Sequence, residues 1–208
     1  MPKSNERHSE RLLLHIGCGP KRKDETLPAF HSDEWQEVRF DIDESVAPDI
    51  IGTMTDMSAV ETGSMDALFS SHNVEHLYPH EVGVAFREFS RVLNDDGFAI
   101  ITCPDLQSVA ALVADDKLLD TAYVSPAGPI TPLDILFGHR ASMERGNLYM
   151  AHHVGFTQKV LAGTLKSAGF GAVLTVRRPE KFDLWAFAMK QGVSDHELRE
   201  TAQRYLGG

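Results

Sequence analysis

Cysteine is nearly absent. Cys18 and Cys103 are the only two in the chain, too few for a disulfide framework and not spaced as a metal-binding pair. Also lacking is any apolar run near the ~20 residues that cross a bilayer. The opening MPKSNERHSE has no apolar stretch of the signal-peptide kind, which reads as cytoplasmic. Basic charge is scarce as well: 20 Lys and Arg against 30 Asp and Glu leave a net charge of −10. That balance argues against nucleic acid, whose binders carry basic stripes. The one basic cluster, Lys21 to Lys23, reads as a solvated turn. Internal repeats and low-complexity segments are missing too. What remains, 208 residues with 42% hydrophobic and 24% charged side chains, suits one globular domain over 1–208.

Strand-like and helix-like segments alternate from the start, the pattern of a parallel sheet covered by helices. Arg11–Ile16 is a short apolar run ended by glycine, as a buried central strand requires. Glu37–Asp43 is a second strand ending in acid, Asp49 to Ile51 a short third, and Ser64–Ser71 a fourth. Pro79 opens a helix whose Val82, Ala85, Phe86, Phe89, Val92 and Leu93 share one face. Asn94–Gly97 stops it, with Gly97 available for a left-handed turn. Phe98–Pro104 is a fifth strand, and a helix follows over about Leu106 to Leu119. Thr157 caps a helix ending at Gly169. The segments AVLTVRR and DLWAFAMK then form a hairpin whose Trp185 and Phe187 belong to the core. Residues 191–208 read as a peripheral tail helix.

Residues 123–156 break this rhythm. They hold three prolines and four glycines, yet Leu133, Ile135, Leu136, Phe137, Leu148, Tyr149 and Met150 are too apolar for a linker. Long loops in compact domains are usually functional or disordered, and the segment reads as a lid or substrate-recognition insertion. It can equally form the contact of a homodimer.

The stretch LLLHIGCGPKRKDE carries a glycine turn with two glycines, Gly17 and Gly19. A dinucleotide fingerprint wants a third glycine and a helix N-terminus for its pyrophosphate. Here Lys21 stands where that glycine is sought, Pro20 removes a backbone donor, and Pro20–Glu34 has poor helical periodicity. A ligand without phosphates tolerates these departures, so a nicotinamide-dependent oxidoreductase is disfavoured. Asp41 closes the second strand, where a carboxylate can take the vicinal hydroxyls of a ribose. Asp43 is the competing choice. Asp56 follows the third strand, placed to accept the exocyclic amine of adenine or, alternatively, to cap a helix. Met57 beside it can lie against the base.

Taken in order, LLLHIGCGP, VRFDID, TDMS, SMDALFSSHNVEHL, EFSRVLNDDGFAIITCPD and GFTQKVLAGTLKSAGF resemble a class I S-adenosylmethionine-dependent methyltransferase. The nearer likeness is to the small bacterial group related to the type 11 methyltransferase domain. It covers roughly Arg11 to Lys190. The resemblance implies a Rossmann-like, doubly wound α/β fold. Its seven-stranded sheet would be mostly parallel with an antiparallel C-terminal strand, and helices would cover both faces. It also implies S-adenosylmethionine as cofactor. Gly17, Cys18 and Gly19 would approach its methionyl part, Asp41 and Ile42 its ribose side, and Asp56 and Met57 its adenine. Ser71 and His72 would pass beneath the methionyl group and sulfonium. The ten polar residues before the first strand leave no room for a full substrate-capping helix, which throws acceptor recognition onto the insertion. A non-catalytic cofactor-binding or interaction module of the same fold is the alternative.

Methyl transfer needs alignment and exclusion of water, with a base only when the acceptor carries a proton. The resemblance implies a small or medium-sized acceptor, a saccharide or metabolite hydroxyl first, with an amine or carbon acceptor close behind. His72 and His76 are the candidate catalytic residues, since histidine titrates near neutral pH. Asn73, Asp105, Tyr149, His152 and His153 are candidate substrate contacts, and Glu75 is a further polar group in the same loop. His72, His76 and His80 recur every four residues, which on a helix would invite a metal. Pro79 interrupts such a helix, so no metal is expected. Cys18, between two turn glycines, is wanted for its small size rather than as a nucleophile.

Overall fold

The computed structural model describes residues 10–207; the polar opening segment thus lies almost entirely outside the described residues. In chain order the elements are β1 (Arg11–Ile16), β2 (Trp35–Asp41), β3 (Ile50–Ile51), β4 (Met65–Ser71), α1 (Val82–Val92), β5 (Leu93–Pro104) and α2 (Leu106–Ala114). Then come β6 (Tyr123–Ser125), β7 (Gly128–Ile130), α3 (Pro132–Phe137), α4 (Arg140–Glu144), α5 (Gln158–Ser167), β8 (Ala172–Arg178), β9 (Asp183–Met189) and α6 (Asp195–Leu206). Seven strands form one sheet in the order β3-β2-β1-β4-β5-β9-β8, and β6 pairs with β7 in a separate hairpin. Pairing is parallel from β3 through β5. β9 runs antiparallel to both β5 and β8. This is the α/β sheet expected, with the C-terminal strand reversed.

Alternation along each central strand explains why both faces are apolar. Leu14, Ile16, Leu68 and Ile101 point to one side, where Phe86 and Phe89 of α1 and Leu161 and Leu165 of α5 cover them. Leu13, Ala67, Phe69 and Ile100 point to the other. No full helix joins β1 to β2. Two 3-10 turns, Lys23–Glu25 and Pro28–Phe30, stand there instead, as the prolines and weak periodicity foretell. The second face is therefore covered by Phe30 together with the C-terminal helix. Far from being a peripheral tail, α6 buries Leu198 and Ala202, and its Tyr205 ring lies 4.4 Å from that of Phe98. A mostly polar composition hid this apolar stripe at four- and three-residue spacing.

Other local readings shift. α2 ends at Ala114 rather than near Leu119, because Asp116 takes a left-handed conformation (φ 61°). Gly97 makes no left-handed turn. It lies in an irregular stretch where β5 leaves register with β4 between Leu93 and Phe98. Thr157 does precede α5, but its hydroxyl makes no capping bond. Among the described residues no helix is long and apolar enough to cross a membrane.

Candidate functional site

The carboxyl ends of β1, β2 and β4 converge on a cavity of about 640 Å³, within the size range of small-molecule sites. Gly17, Gly19, Asp41, Ile42, His72 and Asn73 line it from the sheet side. At Gly17 the chain turns sharply (φ 60°), and a Cβ would sit 2.1 Å from Asn73 Oδ1, so only glycine fits. Gly19 is also left-handed (φ 52°), but a Cβ there would meet nothing within 4 Å; that open space is what lets a ligand approach the backbone.

Two side chains hold this turn. Asp41 accepts the Gly19 N–H at 2.7 Å and the Asp43 N–H at 2.9 Å, fixing the loop and facing its carboxylate to the cavity. Arg39 is fully buried, and its guanidinium donates to the carbonyls of Gly19, Lys21, Val46 and Ala47. A buried cation survives only when hydrogen-bonded, and here it ties the glycine turn to the loop after β2. A charged residue inside an apolar strand, between Val38 and Phe40, is the signal that could have found it. Asn73, expected to meet substrate, instead donates to the Ile16 and Ser71 carbonyls and straps β1 to β4. Asp43 borders the cavity while capping the turn at Glu44–Val46 through Ser45.

Several expected residues lie elsewhere. β3 is only two residues long, so the chain leaves the sheet at once, and Thr53, Met54 and Thr55 line the cavity. Asp56 and Met57 have already passed to the flank of α1. Asp56 caps Ser58 in an exposed groove, and Met57 is fully buried with its backbone held by Glu88 and Arg91. Met54, rather than Met57, borders the cavity. Cys18 turns into the core, where burial pushes its thiol up to about 11. The Ser71 hydroxyl pairs with Thr102. Asp105 is completely buried as the cap of α2, bonded to Ser108 and Arg177, and so is structural.

The insertion supplies the opposite wall through Asn147, Leu148, Tyr149, Met150 and His153. It is folded rather than loose: the β6–β7 hairpin leads into α3, whose capping box pairs Thr131 with Asp134. Arg140 closes on Asp134 at 2.8 Å. His153 stacks on Tyr78 with ring centroids 4.2 Å apart. Leu148 and Tyr149 remain 71% and 62% exposed, large for apolar side chains that border a cavity.

Between the two walls lies a histidine cluster. His72 adopts a left-handed backbone (φ 55°), unusual outside glycine, and its Nδ1 stands 3.3 Å from Glu75 Oε1. Desolvation works against its charge, yet the hydrogen bond and charge of Glu75 outweigh it and hold the imidazole above its ordinary value. Glu75 is 1% exposed. Burial would raise its carboxyl, but His72 and the neighbouring His76 and His152 keep it below the usual range. His152 does not reach the main cavity. It lies on the far side of His76, their rings 4.9 Å apart, and burial lowers its value. These residues border a smaller chamber of about 160 Å³ that shares His72, His76 and Met150 with the large cavity. His80 points away and stacks on Tyr78. The segment around it is a 3-10 turn, not a helix, so the four-residue spacing aligns nothing.

Residues 14–101 match the family model of a methyltransferase domain. No curated protein matches the chain. Solved structures share the fold at low identity. The CMeT domain of the citrinin polyketide synthase superposes with a TM-score of 0.59 at 14% identity, over 90% of this chain and 48% of that one. A SAM-dependent methyltransferase from Archaeoglobus fulgidus gives 0.56 at 16%, over 87% and 86%. The 1,6-didemethyltoxoflavin-N1-methyltransferase of Burkholderia thailandensis, solved with its substrate and S-adenosylhomocysteine, gives 0.52 at 15%, over 86% and 71%. The chain spans about half the length of the first of these.

Proposed function

We propose that this chain, whose residues 14–101 match the methyltransferase-domain model, is a class I S-adenosylmethionine-dependent methyltransferase that moves a methyl group to a small or medium-sized acceptor. The observation that carries this reading is the 640 Å³ cavity at the strand ends, bordered by both turn glycines, Asp41 and His72. Its size and the open space above Gly19 fit a nucleoside without phosphates.

When bound, S-adenosylmethionine supplies a methyl group on a positive sulfonium; the acceptor's lone pair forms the new bond as the carbon–sulfur pair returns to sulfur. Asp41 holds the ribose, with Asp43 as the neighbouring carboxylate. Ile42 and Met54 offer apolar surface to the adenine. The Gly17–Gly19 backbone approaches the methionyl part. His72 is the side chain to take a proton from a hydroxyl acceptor. With its Nδ1–H directed to Glu75, its Nε2 lone pair is free, the orientation a general base needs. The insertion at residues 123–156 excludes water and shapes the acceptor site through Leu148, Tyr149 and Met150. A saccharide or other metabolite hydroxyl suits a wall that mixes histidines with apolar side chains.

Calorimetric titration with S-adenosylhomocysteine tests this, with NADH beside it. Micromolar binding of the first, roughly −8 kcal/mol, and none of the second is expected. Binding of NADH alone would overturn the reading.

A further inference from the structure

We infer that Glu75, His76 and His152 form a divalent-cation site at the floor of the acceptor chamber. One ligand atom from each lies within 4.8 Å of the others. Among the described residues, Glu75 Oε2 is buried with no hydrogen-bond partner, while Oε1 faces His72. An unpartnered carboxylate oxygen in a protein interior is costly, and a cation removes that cost.

The two imidazoles are prepared for the same task. His76 Nδ1 lies 3.0 Å from the Ala151 carbonyl, and His152 Nδ1 lies 2.8 Å from the Ile135 carbonyl. A carbonyl only accepts, so each Nδ1 carries the proton and each Nε2 keeps its lone pair. Backbone carbonyls behind ligating histidines are the usual means of fixing tautomer and ring orientation at metal sites. One ring nitrogen of each histidine and a Glu75 oxygen thus gather within 4.8 Å, and in its neutral form each imidazole keeps a lone pair on Nε2. Two His and one carboxylate suit zinc, iron or cobalt better than magnesium or calcium, and leave coordination positions open. The three residues line the 160 Å³ chamber, next to His72.

The ligands come from both walls: Glu75 and His76 follow β4, while His152 ends the insertion. A bound cation would therefore pin the insertion to the sheet. On the methyl-transfer reading, on which this part rests, it would also hold an acceptor oxygen and ease loss of its proton.

The test is calorimetry of the chelator-stripped full chain with Zn²⁺, paired with the visible absorption of Co²⁺. One ion per chain is expected, bound about 100-fold more weakly in each of Glu75→Gln and His152→Gln. His196→Asn, on the solvent face of α6, should leave the affinity unchanged. No binding, or affinity untouched by both Glu75→Gln and His152→Gln, overturns the site, as does loss of binding in His196→Asn alone. S-adenosylhomocysteine titrations of the same proteins check their folding and separate the two ideas. Zinc bound without S-adenosylhomocysteine sinks the cofactor reading and leaves the cation site standing. S-adenosylhomocysteine bound with neither metal sinks the cation site alone.

Discussion

The two walls of the cavity are built by opposite means. The sheet-side wall is held from beneath: Arg39, Asp41 and Asn73 bond backbone groups of the glycine turn and the strand ends, leaving that loop little freedom. The insertion wall is held from its rim, by the Thr131–Asp134–Arg140 cluster, the His153–Tyr78 stack and a few backbone bonds. It faces the cavity with half-exposed apolar side chains. A buried network specifies one geometry, as the proposed nucleoside cofactor requires; a rim-anchored apolar wall can open.

Breaking the sheet-side network should have the largest effect. Arg39→Met leaves four carbonyls without their donor and is expected to lower stability by about 4 kcal/mol, read from urea unfolding. Gly17→Ala places a methyl group against the Asn73 amide at a left-handed position. A loss of about 2–3 kcal/mol is expected, with weakened S-adenosylhomocysteine binding in the protein that still folds. Asp41→Asn removes the charge proposed to hold the ribose and turns an amide NH2 toward one of the two backbone N–H groups, of Gly19 and Asp43, that the carboxylate accepts. Affinity for S-adenosylhomocysteine should fall by about 1.5 kcal/mol, roughly tenfold.

The insertion should respond to acid first. Arg140 beside Asp134 holds that carboxyl well below the usual carboxylate range. The pair's contribution is therefore complete above the unfolded value of about 3.9 and is lost as pH falls through the lower folded value. Amide exchange in residues 131–140 should accelerate below about pH 4, while the strand amides of β1 and β4 stay protected. In Asp134→Asn that acceleration should already be present at neutral pH. Tyr149→Ala should change least, shifting stability by no more than about 0.5 kcal/mol. Equal destabilisation by Tyr149→Ala and Arg39→Met would erase the contrast between the walls.

The same contrast governs how much the sequence discloses. Strand runs such as Leu12 to Ile16 and Phe98 to Cys103 are apolar because both sheet faces are covered, so the strands and the last hairpin can be read directly, while the seven-stranded sheet with its reversed strand comes from the family resemblance. Gly17, Gly19, Asp41, Ile42 and His72, expected at the site from strand ends and from the family resemblance, all border the cavity. Asp56 and Met57 mislead because a two-residue strand leaves no periodicity to fix where the turn begins. The Glu75–His76–His152 cluster joins residues 76 positions apart, which no local pattern encodes; the spacing of His72, His76 and His80 instead suggests a helix that Pro79 forbids. Asp105 looks like a site residue because a polar group at a strand end serves as a cap as readily as a ligand contact, while Asn73 borders the cavity and straps the strands at once.

A crystal structure of the protein soaked with S-adenosylhomocysteine tests the central claim most directly. The ribose is expected on Asp41, the adenine beside Ile42 and Met54, and the sulfur turned toward His72 and the histidine chamber. A nucleoside bound anywhere else, or with its sulfur turned away from His72, would contradict it.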